Sequence, residues 1–297
     1  MERMDVESII WRIKMSIDFC HITPTKYLKE YTKSNGSHLI LAHLVEQDPQ
    51  YRAFYASLSD GKYKIMDNSA FEMFKQGRPM YDSSKLIQMA KLCGAHCIVM
   101  SDYPKEDWGK TVKAATEMIP SIKEAGFDTF FVPQSEVGDF DGYMQGLVWA
   151  LKNPAINRIG LSILGCPIAY GVNESKHEMG QTRHSTYSLQ RYVSRYMILN
   201  DLEKHGFLMF GANKRFHCLG MTDGPREIEL LKKFHQYIAS WDSSAAVWCG
   251  LHGIKFDGSP TGLVNGKFEK EVDFSCDLGY DNNWAVLQNI KYINDRC

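Results

Sequence analysis

The chain carries almost no net charge. Its 34 Lys and Arg face 35 Asp and Glu, a formal −1 at pH 7. No global field therefore draws it onto nucleic acid, and such a partner has to be held by a local basic patch. No apolar run approaches the about 18 residues that a membrane-spanning helix needs. The opening MERMDVESIIWRIK holds acids and lacks an apolar core, so it does not read as a secretory signal. Pro/Ser-rich linkers, internal repeats and low-complexity tracts are missing too, which argues for one compact domain. Cysteines are present but scattered, at 20, 93, 97, 166, 218, 249, 276 and 297. Several lie in apolar strand patterns, where a free thiol behaves as a small hydrophobe. A reducing, cytoplasmic compartment is expected.

What the chain does have is an alternation of apolar runs and amphipathic stretches over 297 residues, 44% of them hydrophobic and 23% charged. That length accommodates one large α/β barrel or two smaller domains, with a core able to stand without covalent staples. Eight runs read as strands: 16–22, 38–44, 63–67, 97–102, 129–134, 158–163, 215–220 and 237–242. Between them, helical spacing predicts helices over 24–36, the stretch ending at Gly94 with Ser83 or Ser84 as cap, 105–126 with a kink or break at Pro120, 189–205 and 225–235. Near-continuous apolar strands alternating with helices point to parallel β-structure with helices outside. Eight such units favour closure: a single (β/α)8 barrel of the TIM type across 1–297, with an N-terminal extension over 1–15 and a C-terminal segment over 243–297. Residues 165–188 read as a long polar loop after the sixth strand, and loops of that length in compact domains are commonly functional. Within the C-terminal segment, FDGSPTGLVNGKF looks hairpin-like and NNWAVLQNIKYINDR helical.

Polar groups close five of the strands: Asp67, Asp102, Gln134, the Gly160–Leu161 backbone and Asp242. In a parallel barrel all carboxyl ends open on one face, and that face carries the chemistry. Each residue also has a plainer reading. Asp67 fits an Asx turn, Asp102 a turn before Tyr103–Pro104, Asp242 a helix cap, and Gln134 a group satisfying buried backbone. Lys176, Arg183 and His184 on the long loop, Arg191 and Arg195 on the helix after it, and Lys214 and Arg215 before the seventh strand form either a solvated charged face or a phosphate-contacting patch.

Five motifs carry a resemblance. MDNSAF (66–71), IVMSDYP (98–104), FVPQS (131–135), RIGLSILG (158–165) and HCLGMTDGPREIELL with YIASWDSS (217–244) occur in that order at strand ends. Together, over roughly 16–245, they resemble the tRNA-guanine transglycosylase superfamily, and within it the phage-type 7-deazaguanine DNA transglycosylases. The resemblance implies a ping-pong exchange: an aspartate attacks C1′ of a guanosine, guanine leaves, and a 7-deazaguanine base such as preQ0 or preQ1 takes its place. By motif, Asp242 is the expected nucleophile and Asp67 the general acid/base. Asp102 and Gln134 are expected to read the base edge, with Gln134 donating to O6 or N7, and the amides near Gly160 and Leu161 to assist. Ser69 and Phe71 are expected to line the base pocket, although Phe71 equally suits the core.

The chain departs from that family in two places. The CxCxxC-plus-His zinc site of the tRNA enzymes is missing after Asp242, where only Cys249, His252, Cys276 and Cys297 remain, at spacings that match no zinc pattern. No cofactor is expected, an atypical zinc being the alternative. Asn68-Ser69-Ala70 also stands where Ser-Gly-Gly is usual. The missing zinc run and the lack of a separate RNA-binding domain favour DNA as partner over tRNA. Hydrolysis by the same two aspartates, and a non-catalytic nucleic-acid binder, are the alternatives from other classes.

Overall fold

A computed structural model describes residues 16–172, 186–210, 214–221, 225–258 and 272–297, with the backbone alone described for 186–192 and 210. It is a (β/α)8 barrel. Eight parallel strands form one sheet: β1 Asp18–His21, β2 His38–Leu41, β3 Lys64–Asp67, β4 Cys97–Val99, β5 Asp128–Phe131, β6 Arg158–Ser162, β7 Arg215–Leu219 and β8 Ile238–Ser243. Their order is β1-β8-β7-β6-β5-β4-β3-β2. The two ends of that order meet without a regular ladder. Gly36 N–H donates to Phe19 O at 2.9 Å and His21 N–H to the Asn35 side chain at 3.0 Å, drawing β1 and β2 together. Gly36 makes this approach possible, since a Cβ there would sit 2.8 Å from Asp18 Cα.

The strands are short and almost wholly buried, as expected where both sheet faces are covered. Aspartates start several of the outer helices by accepting backbone N–H groups: Asp48 before Pro49–Ser57, Asp82 before Ser83–Cys93, Asp107 before Trp108–Glu124 and Asp139 before Phe140–Lys152. The C-terminal helix Asn283–Asn294 lies against Ala245–Leu251 and β1. Its approach at Gly250 leaves no room for a Cβ, which would meet Val286 Cα at 2.5 Å. Among the described residues no helix is long and apolar enough to cross a membrane.

Several boundaries differ from the sequence reading. The second run stops being a strand at Leu41 and turns into helix Ala42–Gln47, because a short apolar run has no period that tells buried helix from strand. The stretch after β1 splits into short 3-10 and α turns, Thr25–Tyr27, Leu28–Tyr31 and Thr32–Ser34. Asp82, not Ser83 or Ser84, caps its helix, while Gly94 ends it in the left-handed conformation as expected. Helix Trp108–Glu124 continues through Pro120. The stretch 165–188 is not all loop: it opens with helix Gly165–Ala169, and a helix spans Thr186–Lys204. Its middle, 173–185, and most of the hairpin-like FDGSPTGLVNGKF lie outside the described residues.

Candidate active site

The barrel brings the strand-end residues to one mouth. Asp67 is the last residue of β3, Asp102 and Gln134 follow β4 and β5, and Asp242 is next to last in β8. Gly160 and Leu161 lie inside β6, paired with His217 and Cys218 of β7. Gly160 is packed from the barrel interior: a Cβ there would fall 2.7–2.9 Å from Phe130, Leu219 and Val132 side chains. Asp102, Gln134 and Asp242 are buried, and Asp67 is partly so.

Asp102 is held from both sides. Asn68 Nδ2 donates to its Oδ1 at 2.6 Å and Gln134 Nε2 to its Oδ2 at 2.5 Å. Asn68 also donates to Met100 O and accepts from Ala70 N–H, so it ties the β3 and β4 ends together. Burial pushes the Asp102 carboxyl up to about 6, against the pull of those two amides. Each carboxylate oxygen keeps a further lone pair for a ligand N–H. One of the two Gln134 amide N–H groups goes to Asp102, which leaves the second able to donate, and its buried Oε1 has no partner among the described residues. An acceptor there matches an N–H on a ligand.

Around Asp67 the backbone turns sharply. Ser69 sits in the left-handed region with φ 55°, unusual for a residue with a side chain. Three bonds hold it there: its N–H donates to Asp67 Oδ2 at 2.9 Å, its Oγ accepts from His43 N–H, and its hydroxyl reaches His43 Nδ1 at 2.9 Å. Burial lowers His43 to about 4, so the imidazole is neutral, and the direction of its contact with the Ser69 hydroxyl follows the ring tautomer. Glu72, one turn into the helix Ala70–Gln76, adds a further carboxyl group. Burial raises it to about 7, with Lys75 opposing and Asp242 adding to the rise. Asp67 is held well above the usual carboxylate range, first by burial and then by Glu72, with Asp242 and Asp102 contributing. Two neighbouring carboxyls whose hold on a proton is strengthened by burial and by each other's charge suit acid/base work.

Asp242 differs from both in its fixed geometry. Its Oδ1 accepts from His217 Nε2 at 2.9 Å and from Gly220 N–H at 3.1 Å. Among the described residues nothing donates to Oδ2. The peptide unit that presents the Gly220 N–H is held at its other end, where Leu219 O accepts from Ile163 N–H at 2.9 Å and from Arg195 Nη2. A carboxylate with one oxygen pinned and the other open is suited to attack an electron-poor carbon.

The remaining expected residues fall differently. Phe71 is 46% exposed on the helix that follows β3, so it is not part of the core, and Phe74 on the same helix is 46% exposed as well. Arg195 is not on a basic surface. It is 1% exposed and paired with the fully buried Glu227 at 3.1 Å. Lys214 is spent on the carbonyls of Ala150, Leu151 and Asn153, which end the helix Phe140–Lys152. Arg215 begins β7, at the opposite mouth of the barrel from Asp242, and donates to Ile238 O. These three corrections share one cause, since a cation adjacent in sequence to a loop can still be turned inward by the fold. Lys176, Arg183 and His184 lie outside the described residues, as does the side chain of Arg191. Cys249, His252, Cys276 and Cys297 do not gather, and no group of three or more His, Cys, Asp or Glu side chains among the described residues is placed to hold a metal ion.

Sequence reasoning missed Glu72, His217 and Gly220 as members of the site and took Asn68 only as a departure from a motif. Glu72 had a signal, an acid five residues past Asp67 at a strand-to-helix turn. His217 had none, because it reads as an interior strand residue. Neither the protein-family models nor the curated proteins include a match to this chain.

Proposed function

We propose that the protein is a glycosyltransferase that exchanges guanine in DNA for a 7-deazaguanine base of the preQ0 or preQ1 type, through a covalent bond between Asp242 and the deoxyribose. One observation carries the reading: Asp242 has Oδ1 fixed by His217 and Gly220 and Oδ2 open, with the Asp67 and Glu72 carboxyls, both held above the usual carboxylate range, in electrostatic reach. Asp242 Oδ2 attacks C1′ while the C1′–N9 bond breaks, and its electron pair leaves with guanine. Asp67 gives the departing base its proton. The incoming deazaguanine loses its N9 proton to Asp67, attacks C1′ and releases Asp242. A carboxylate below C1′ also stabilises the positive charge of the oxocarbenium-like transition state.

Asp102 supports a guanine-type base. Its two oxygens match the N1–H and N2–H pair, and Asn68 and Gln134 keep it oriented while leaving lone pairs free. A site of such buried pairings rejects bases that leave them unmet. The preference for DNA draws on the motif resemblance and the missing CxCxxC run. Exposed Phe71 and Phe74 on the helix that follows β3 offer stacking faces to a base drawn out of the duplex.

The test is incubation with guanine-containing duplex DNA and preQ0 or preQ1, nuclease digestion, and mass spectrometry of the nucleosides. A deazaguanosine with equimolar released guanine is the expected result, abolished in Asp242→Asn. Product from tRNA but not DNA would move the substrate to RNA. Guanine release without insertion would replace exchange by hydrolysis. Unchanged exchange in Asp242→Asn would sink the assignment of the nucleophile.

A further inference from the structure

Below Asp242 a line of polar side chains runs down the inside of the barrel. Arg158 Nη1 donates to Ser240 Oγ at 3.1 Å, Ser240 Oγ lies 2.7 Å from His217 Nδ1, and His217 Nε2 lies 2.9 Å from Asp242 Oδ1. His217 and Ser240 are fully buried. Branched apolar residues ordinarily fill such positions in this fold, and each polar group there carries a desolvation cost unless satisfied.

One polarity satisfies every atom of the line. Arg158 only donates, so Ser240 Oγ accepts from it and turns its own proton to His217 Nδ1. The imidazole then carries its proton on Nε2 and donates it to Asp242, which accepts as a carboxylate. The reverse direction would have Asp242 protonated and would leave the Ser240 hydroxyl proton without an acceptor in the line. The backbone is built for this register. The β7–β8 ladder slips between Phe216 and His217, pairing Phe216 with Ile238 but His217 with Ser240. Without the extra residue Ala239 would stand opposite His217, and the hydroxyl would be displaced from Nδ1. Bulges of this kind re-aim side chains next to functional sites.

We infer that His217 is a positioning residue for Asp242: backed by Ser240 and Arg158, it holds Oδ1 so that Oδ2 alone faces the substrate. The inference rests on the reading of Asp242 as nucleophile. A merely structural histidine would fill the same space, but it would not need a defined tautomer or show a selective effect on turnover.

The test pairs a spectroscopic with a kinetic measurement. Nitrogen NMR of isotope-labelled histidine, with His217 assigned from the His217→Gln spectrum, is expected to show a neutral ring protonated on Nε2 whose signal moves in Asp242→Ala. In exchange assays with duplex DNA and preQ0, His217→Leu is expected to lose about 100-fold in kcat with KM nearly unchanged, the scale of a misplaced reacting group. His217→Gln, which can still donate to Asp242, is expected to recover about 10-fold of that loss, whereas a space-filling role would favour Leu. A ring protonated on Nδ1 overturns the inference whether or not the enzyme turns over. So does a folded His217→Leu with wild-type kcat. Wild-type inactivity on DNA and tRNA alike, together with the Nε2–H tautomer and its response to Asp242→Ala, would remove the exchange reading while supporting the hold of His217 on Asp242.

Discussion

Arg195→Met separates two physical roles for one residue. Arg195 is 1% exposed, faces Glu227 at 3.1 Å and packs its guanidinium over the Trp241 ring at 5.5 Å. The two carbonyls it also serves keep other donors: Leu219 O accepts from Ile163 N–H at 2.9 Å and Gly220 O from Trp241 Nε1 at 2.7 Å. The cost of the substitution is therefore dominated by removing the cation that faces a fully buried Glu227. Breaking a buried pair from one side costs about 3–5 kcal/mol. Against the roughly 5–15 kcal/mol that holds a typical domain together, that is a large fraction. Urea unfolding followed by circular dichroism measures it. Arg195→Met combined with Glu227→Leu is expected to regain most of the loss, because a buried pair and an apolar replacement of similar volume are often close in free energy. A surface, phosphate-binding Arg195 makes the opposite forecast. Stability would then stay within about 0.5 kcal/mol, and the salt dependence of DNA binding would fall by about one unit in log–log slope. A loss under about 1 kcal/mol in Arg195→Met, or no recovery in the double variant, would refute the buried-pair argument.

Three further outcomes are expected. Asp102 binds its proton more tightly folded, at about 6, than a carboxyl at its ordinary 3.8, so its contribution to stability is most favourable below that ordinary value and is lost as pH rises through about 6. The buried histidines slope the other way, His43 at about 4 gaining stability as pH rises above that value, so the test is the difference between wild type and Asp102→Asn in urea midpoints across that window. Asp102→Asn should remove the decline, and identical slopes would contradict it. Glu72→Gln removes a negative charge that raises Asp67, so the alkaline limb of the exchange rate should move to lower pH; a limb that stays put would dissociate the two groups. Phe71→Ala, at a 46% exposed position, should leave stability nearly unchanged and weaken DNA binding by about 1–3 kcal/mol if a base stacks on it. Unaltered affinity in a binding titration would remove that contact.

Most of the barrel was legible in the sequence because its signal is local. Runs such as CIVM and RIGLS, buried on both faces, leave little alternative to interior parallel strands, and helical periods between them do the rest. The convergence of Asp67, Asp102, Gln134 and Asp242 followed from the same topology, since parallel strands place all their carboxyl ends together. What the sequence by itself could not determine were groups whose partners lie far along the chain. Arg195 meets Glu227 across 32 residues and becomes a buried strut, though its neighbourhood reads as a basic helix. Gln134 gives one of its two amide N–H groups to Asp102 across 32 residues, which fixes how the rest of the amide faces a ligand. His217 acquires its place from a one-residue slip against β8 that no periodicity records. Local pattern decides which backbone forms, because hydrogen bonding and apolar burial act over a few residues. Tertiary structure decides which polar atoms are spent and which stay open, because that depends on partners only the closed barrel brings within about 3 Å.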